Sequence, residues 1–177
     1  MHDHLGSLFR HNLRTKRQQI TLEEELDGLE DYIYLQQMRF DGRITVEKSI
    51  QVQPAAVLVP SFMLQPVVEN AYSHGLKSCE EGGRILLRAW MQDSVLVLTV
   101  ADNGRGMTAE ELDALQARIA QSEQTGRSIG LGNISRRIGM LYPGGKMQVY
   151  SRAGCGTVVR FEIPQTQRTE EKEGKPS

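Results

Sequence analysis

The chain has 177 residues, of which 39% are apolar and 24% charged, with a net charge of −1 at pH 7. That suffices for a domain with its own core, and the near-neutral balance removes the electrostatic case for a nucleic-acid or membrane-surface partner. Cys79 and Cys155 lack metal-ligand spacing and read as free thiols of a reducing compartment, and no apolar run approaches the roughly 18–20 residues that span a bilayer.

Met1-His2-Asp3-His4 opens abruptly within sequence of helical character, so the chain reads as a piece excised from a longer protein. Residues 5–18 carry Leu5, Leu8, Phe9 and Leu13 at helical spacing, with Arg10, Arg14, Lys16 and Arg17 between them, as the last part of a longer helix. Thr21-Leu-Glu-Glu24 is a capping box that opens a helix to about Phe40. Its apolar stripe is Leu22, Leu26, Leu29, Ile33 and Met38, with Tyr32 and Leu35 on the flanks. Asp41-Gly42 is a turn, and residues 43–52 alternate as a strand through Ile44, Val46, Ile50 and Val52. Pro54 to Pro60 is a connection. A helix then starts at Pro60 or Ser61 and runs through Leu76, with Pro66 inside it predicting a kink or a lost hydrogen bond. Gly82-Gly83 turns the chain into a hairpin of Ile85–Met91 and Val95–Ala101. Thr108-Ala-Glu-Glu111 is a second capping box, opening a polar helix to about Gln121, and residues 122–129 read as mobile. Gly130–Leu141 is a helix stopped by Pro143-Gly-Gly145. Lys146–Arg152 and Thr157–Ile163 form a last hairpin, and the polar tail from Gln165 reads as disordered. Strands that pair with sequence neighbours, with helices between hairpins, predict a two-layer α+β sandwich rather than a doubly wound sheet.

Three polar and glycine motifs fall at the edges of these elements. Asn70 and His74 are spaced i, i+4 on one helix face, with Lys77 a turn beyond. An amide oxygen, an imidazole and an ammonium on one stripe suit a magnesium-triphosphate group. Taken alone, an ordinary amphipathic helix explains them better. Asp102 ends an apolar strand and is followed by Gly104 and Gly106. A carboxylate there can accept from the exocyclic amine of a purine, while the glycines let backbone approach the ring. A strand followed by an Asn-Gly turn is the plainer account of Asn103-Gly104. Gly130-Leu131-Gly132-Asn133 opens a helix, where unpaired N–H groups favour phosphate, and a loose loop leading into a helix fits this motif equally well. It matches neither the P-loop nor the dinucleotide pattern.

The ordered set resembles the GHKL group of gyrase, Hsp90, histidine kinases and MutL. Glu69-Asn70-Ala71 with His74-Gly75 is similar to its N box, Asp102-Asn-Gly-Arg-Gly106 to its first glycine box, and Gly130-Leu-Gly-Asn133 to its second. Gly156-Thr157 resembles the place where these proteins set a threonine beside the adenine-binding aspartate. Pro60-Ser-Phe-Met-Leu-Gln-Pro66, Thr21-Leu-Glu-Glu-Glu-Leu26 with Tyr32, Gln36 and Arg39-Phe40, and Gly130 through Arg137 are similar to the YesM/LytS branch of sensor histidine kinases.

The resemblance implies the Bergerat fold, a mixed, mainly antiparallel sheet with helices on one face. It implies ATP and magnesium as cofactors, with Asn70 on the metal. It implies ATP contacts from Asn70, His74, Lys77, Asp102, Gly104, Gly106, Gly130, Leu131, Gly132, Asn133 and Thr157. The γ-phosphate would pass to a histidine outside this chain, because the branch's His-Phe-Leu-Tyr-Asn-type sequence is absent and His2, His4 and His11 lack its neighbours. Partners implied are the dimerisation/phosphoacceptor domain of the parent kinase and a response regulator, with no nucleic acid. The parent would be a homodimer in the cell membrane, with this part on the cytoplasmic side. Residues 1–40 would be the end of the dimerisation helices and a linker helix, 41–164 the ATP-binding domain, and 165–177 a disordered tail. Pro66 stands where water-using ATPases of the group place a glutamate, which favours phosphotransfer over hydrolysis. An anti-sigma-factor-type serine kinase of the same fold and a non-catalytic nucleotide-binding module are the alternatives.

Overall fold

The computed structural model describes residues 17–126 and 130–166. The helix expected upstream of residue 17, residues 127–129 of the segment expected to be mobile, and the tail beyond 166 lie outside them. The elements are β1 (Gln19–Thr21), α1 (Leu22–Phe40), β2 (Ile44–Ile50), a 3-10 turn (Pro54–Ala56), β3 (Leu58–Pro60), α2 (Leu64–Asn70) and a π-turn (Ala71–Gly75). There follow β4 (Gly83–Gln92), β5 (Val95–Asp102), α3 (Ala109–Thr125), α4 (Leu131–Leu141), β6 (Lys146–Arg152) and β7 (Gly156–Pro164). The main sheet has the order β2-β4-β5-β7-β6. Its β2–β4 pair is parallel and the rest are antiparallel, which is the expected α+β class with a mixed, mainly antiparallel sheet.

The core lies between the sheet and the helices. Ile85, Leu87 and Ala89 of β4, Leu96, Leu98 and Val100 of β5, and Phe161 and Ile163 of β7 alternate onto one face. There they meet Leu22, Leu29 and Ile33 of α1, Val67 and Val68 of α2, and Ile134 and Ile138 of α4. Period-2 and period-3.6 patterns thus converge on one layer. Val97, on the opposite sheet face, is buried beside its cross-strand partner Trp90, whose ring carries the Arg160 guanidinium at 5.6 Å.

The N-terminal region departs from expectation in several places. Arg17 and Gln18 are not helical, and Gln19–Thr21 pairs antiparallel with Leu58–Pro60 as a small second sheet. The Thr21 hydroxyl accepts from the Glu24 N–H at 3.2 Å. The Glu24 carboxylate in turn accepts from the Thr21 hydroxyl and pairs with Arg17. The buried line of α1 runs Leu22, Glu25, Leu29, Ile33. Met38 is 67% exposed, since the 3.6-residue period leads from Ile33 towards Phe40, which stacks on Tyr72 at 5.4 Å.

Helix α2 begins later than expected. Pro60 belongs to β3, and Phe62 turns the chain with φ 59°. Pro66 therefore sits in the first helical turn, where the backbone N–H has no intrahelical partner, and no helical hydrogen bond is lost to it. The helix then widens, with the Leu76 N–H donating to the Ala71 carbonyl at 2.8 Å. Helix α3 starts at the expected box, complete in both arms at 3.2 and 2.9 Å. It continues beyond Gln121 to Thr125, where Gly126 (φ 67°) ends it.

Candidate functional site

Asp102 is the last residue of β5, opposite Ile85 of β4 and Thr157 of β7. By strand alternation it shares the core face with Leu96, Leu98 and Val100, and at the end of the sheet its carboxylate is half-buried. Its Oδ1 accepts from the Gly104 N–H at 2.8 Å, and the Thr157 N–H also donates to the carboxylate. Burial nevertheless dominates and pushes the carboxyl above its ordinary value, with those backbone bonds opposing the shift.

The backbone around this carboxylate is bare and close. A Cβ on Gly75 would stand 2.8 Å from Asp102 Oδ1. One on Gly104 would fall 2.0 Å from the Gly75 carbonyl oxygen, which accepts from the Arg105 N–H at 2.9 Å. Gly156 (φ 92°) meets the Asp102 carbonyl in the same way, at 1.9 Å, and Gly106 (φ 64°) meets the Arg152 carbonyl at 1.9 Å. The turn after α2, the turn after β5 and the start of β7 are thereby knotted around Asp102. Ser151 of β6 closes the knot. Its hydroxyl accepts from the Met107 N–H at 2.9 Å, donates to the Gly156 carbonyl at 3.0 Å and lies 2.8 Å from the Thr157 hydroxyl.

Of the residues singled out in sequence, Asp102, Gly104, Gly106 and Thr157 are brought together. Asn70 is half-buried at the last position of α2, while His74 and Lys77 are exposed in and just after the π-turn that leads to Gly75. Gly130 caps α4 with φ 85°, and space is open where its Cβ would be. Leu131 is half-buried, Gly132 buried and Asn133 exposed. Asn103 is structural: its side chain accepts from the Arg84 N–H at 2.7 Å and donates to the Gly82 carbonyl at 2.9 Å.

Gly75 and Ser151 are the residues that sequence reasoning missed. Gly75 stood in the quoted motif but was given no role. Ser151 carries no local sequence feature, because its part depends on strand pairing.

Among the described residues no group of three or more His, Cys, Asp or Glu side chains could hold a metal. A magnesium ion is compatible with such a donor set, since it keeps waters and takes substrate phosphates beside a single protein oxygen. The half-buried Asn70 amide is a suitable oxygen, and Gly75 sets bare backbone against the Asp102 carboxylate.

The family model described as histidine kinase-, DNA gyrase B- and HSP90-like ATPase matches residues 61–167, and one described as histidine kinase matches residues 1–44. The sensor protein LytS of Staphylococcus saprophyticus is 35% identical over 170 residues, covering 95% of this chain and 28% of that protein. The sensor histidine kinase YpdA of Escherichia coli is 32% identical over 166 residues, covering 93% and 28% respectively. The chain thus spans under a third of the length of these relatives. Among solved structures, the catalytic domain of histidine kinase ThkA superposes with a TM-score of 0.59 at 20% identity, over 84% of this chain and 95% of that one. The kinase domain of a blue-light-activated histidine kinase from Erythrobacter litoralis gives 0.53 at 23% identity, over 77% and 59%.

Proposed function

We infer the chemistry of the knot around Asp102 from one premise: the chain belongs to the histidine kinase-, DNA gyrase B- and HSP90-like ATPase family and is the ATP-binding catalytic domain of a histidine kinase. Adenine enters beside Asp102, whose carboxylate accepts from the exocyclic amine. Thr157 assists through its hydroxyl or a bridging water. The triphosphate extends towards Asn70, with His74 and Lys77 on the exposed turn near it. The N-terminus of α4, from Gly130 through Leu131 and Gly132 to Asn133, supplies backbone donors to phosphate oxygens. Magnesium, when bound, neutralises and orients the phosphates, and Asn70 offers it an oxygen.

The reaction is phosphotransfer. An imidazole nitrogen of a histidine outside this chain attacks the γ-phosphorus, the bond to the bridging oxygen breaks, and ADP leaves. Pro66 supports this over hydrolysis, because it offers no base to a water molecule. The whole protein would be a membrane-bound homodimer that contributes the phosphoacceptor domain and passes the phosphate to a response regulator. Among the described residues no helix is long and apolar enough to cross a membrane. We place this part on the cytoplasmic side, where ATP is.

The observation that carries the reading is the half-buried carboxylate at the end of β5 with Gly75 and Gly104 packed against it. Calorimetric titration with ATP, ATP plus magnesium, and adenosine tests it. Asp102→Asn should weaken all three ligands by on the order of 1–3 kcal/mol, the cost of an unmade buried hydrogen bond. Asn70→Ala should weaken magnesium-ATP more than adenosine. Unchanged affinity of the Asp102 variant, or equal losses for Asn70→Ala, would overturn the respective assignment.

A further inference from the structure

A second buried carboxylate lies away from Asp102. Glu25 of α1 is only 7% exposed. Its Oε2 accepts from the Phe62 N–H at 3.0 Å and its Oε1 from the Leu64 N–H at 2.9 Å. Helix α2 has no side-chain cap at its own N-cap residue, Met63, so its free donors are met by a residue of another helix. The turn Glu25 holds is an unfavourable one, with Phe62 at φ 59°.

The same turn is gripped from the other side. Arg137 of α4 donates from Nη2 to the Ser61 carbonyl at 2.6 Å and to the Ser61 hydroxyl at 3.3 Å. The Ser61 hydroxyl in turn donates to the Arg17 carbonyl at 2.7 Å. Arg137 is half-buried, which lowers its pKa, while the Glu25 charge acts in the opposite sense. One polar cluster therefore ties α1 to the start of α2 and to α4. Helix α2 ends in Asn70, and α4 begins beside Gly130. Helix α1 lies within the residues matched by the second family model, upstream of the ATPase match.

We propose that Glu25 and Arg137 are positioning residues that couple the orientation of α1 to the triphosphate side of the nucleotide site. The inference rests on the nucleotide reading given above. A tilt or roll of α1 carries Glu25 with it and loosens the cap of α2. The separation of Asn70 from Gly130–Asn133 then changes. The Asp102 carboxylate stands on β5 beside Thr157 of β7, and no hydrogen bond of this cluster reaches either residue. Triphosphate binding therefore responds to α1 more than adenine binding does. Coupling is reciprocal in free energy, so bound magnesium-ATP tightens the turn at Phe62.

The test uses the full chain. Glu25→Gln keeps the shape and one acceptor oxygen, and Arg137→Lys keeps the charge but loses the planar fork. Affinities for magnesium-ATP and adenosine are measured by calorimetry, and amide exchange at Phe62 and Leu64 by NMR in the wild-type chain. Each variant should lose about fivefold or more in magnesium-ATP affinity, the lower end of typical coupling. Adenosine affinity should stay within about twofold of wild type, and magnesium-ATP should slow exchange at Phe62 and Leu64 where adenosine does not. If wild type binds both ligands and the variants lose both equally or neither, the coupling alone falls. If wild type binds neither, the nucleotide reading falls and the coupling with it. Should a variant fail to fold, unaltered wild-type exchange at Phe62 and Leu64 with magnesium-ATP bound overturns the proposal by itself.

Discussion

Gly75 places bare backbone against a carboxylate, and this makes its substitution informative. In Gly75→Ala the new methyl meets Asp102 Oδ1 at 2.8 Å and Cγ at 3.0 Å. A carboxylate can rotate away, so the fold should survive while ATP affinity drops by on the order of 1–3 kcal/mol. Gly104→Ala instead drives a methyl to 2.0 Å from the Gly75 carbonyl oxygen, where only backbone can yield. Its melting temperature should fall well below that of Gly75→Ala, and equal melting of the two would contradict this account. Asp102 carries a pH signature as well. Burial raises its carboxyl in the folded chain, so folding disfavours the ionised form. Its stabilising contribution is full below the ordinary value of 3.8 and is lost as the pH rises through the elevated folded value. Wild type should therefore gain melting temperature relative to Asp102→Asn as the pH falls from neutral towards 4. A difference that does not vary with pH would show that burial is not what shifts the group. Asp102, Gly104 and Gly106 were legible because an acid and two glycines stand together at a strand end. The contacts of Gly75 and Ser151 were not, because they exist only once three loops have met.

Among the elements, α3 is the most loosely seated of the longer helices. Ser122 is its one buried residue, with Leu112, Leu115 and Ile119 half-buried. An open groove of about 410 Å³ lies between α3 and β6, and another of about 490 Å³ opens beside Glu123 between α4 and β6. Few buried apolar contacts mean a small free energy of local opening. Its amides should exchange faster than those of α4, and nucleotide should slow them if α3 helps to close the site. Protection equal to that of α4 in the free chain would remove α3 as a lid. The start of α3 could be read from its capping box, but its end could not. The polar run Gln121–Thr125 has no breaker before Gly126, and polarity alone does not end a helix. Strands β1 and β3 are three residues each, too short for alternation to register. Glu25 on a buried line breaks the rule that charge faces water, which its two backbone donors explain.

For the whole molecule, the nucleotide reading has no recognisable phosphoacceptor beside it in this sequence. The chain should bind ATP without labelling itself on histidine, and its ATPase should be very slow because Pro66 activates no water. Incubation with labelled ATP followed by acid and base treatment checks this, since phosphohistidine is acid-labile and base-stable. An acid-labile label on His2, His4, His11 or His74 would sink the assignment. A separate domain carrying the histidine should restore transfer. Helix α1 packs Leu22, Leu29 and Ile33 into the same core as the sheet.

The strand order also sets a sequence of events in time. Hairpins β4–β5 and β6–β7 close through short turns, whereas Asn70 and Gly130 lie in the long connections that enter β4 and β6. Short closures form within roughly 1–10 μs, and long ones carry the greater entropy cost. The two hairpins should thus be organised in the folding transition state, with φ-values of about 0.5–0.8 for truncations at Leu98 and Phe161. Truncations at Val68 and Ile134 should give about 0–0.3 and act mainly by speeding unfolding. Stopped-flow chevrons of these variants decide the order, and the reverse ranking would overturn it. Nucleotide would then prolong the life of the native state while leaving the rate at which it is reached almost unchanged.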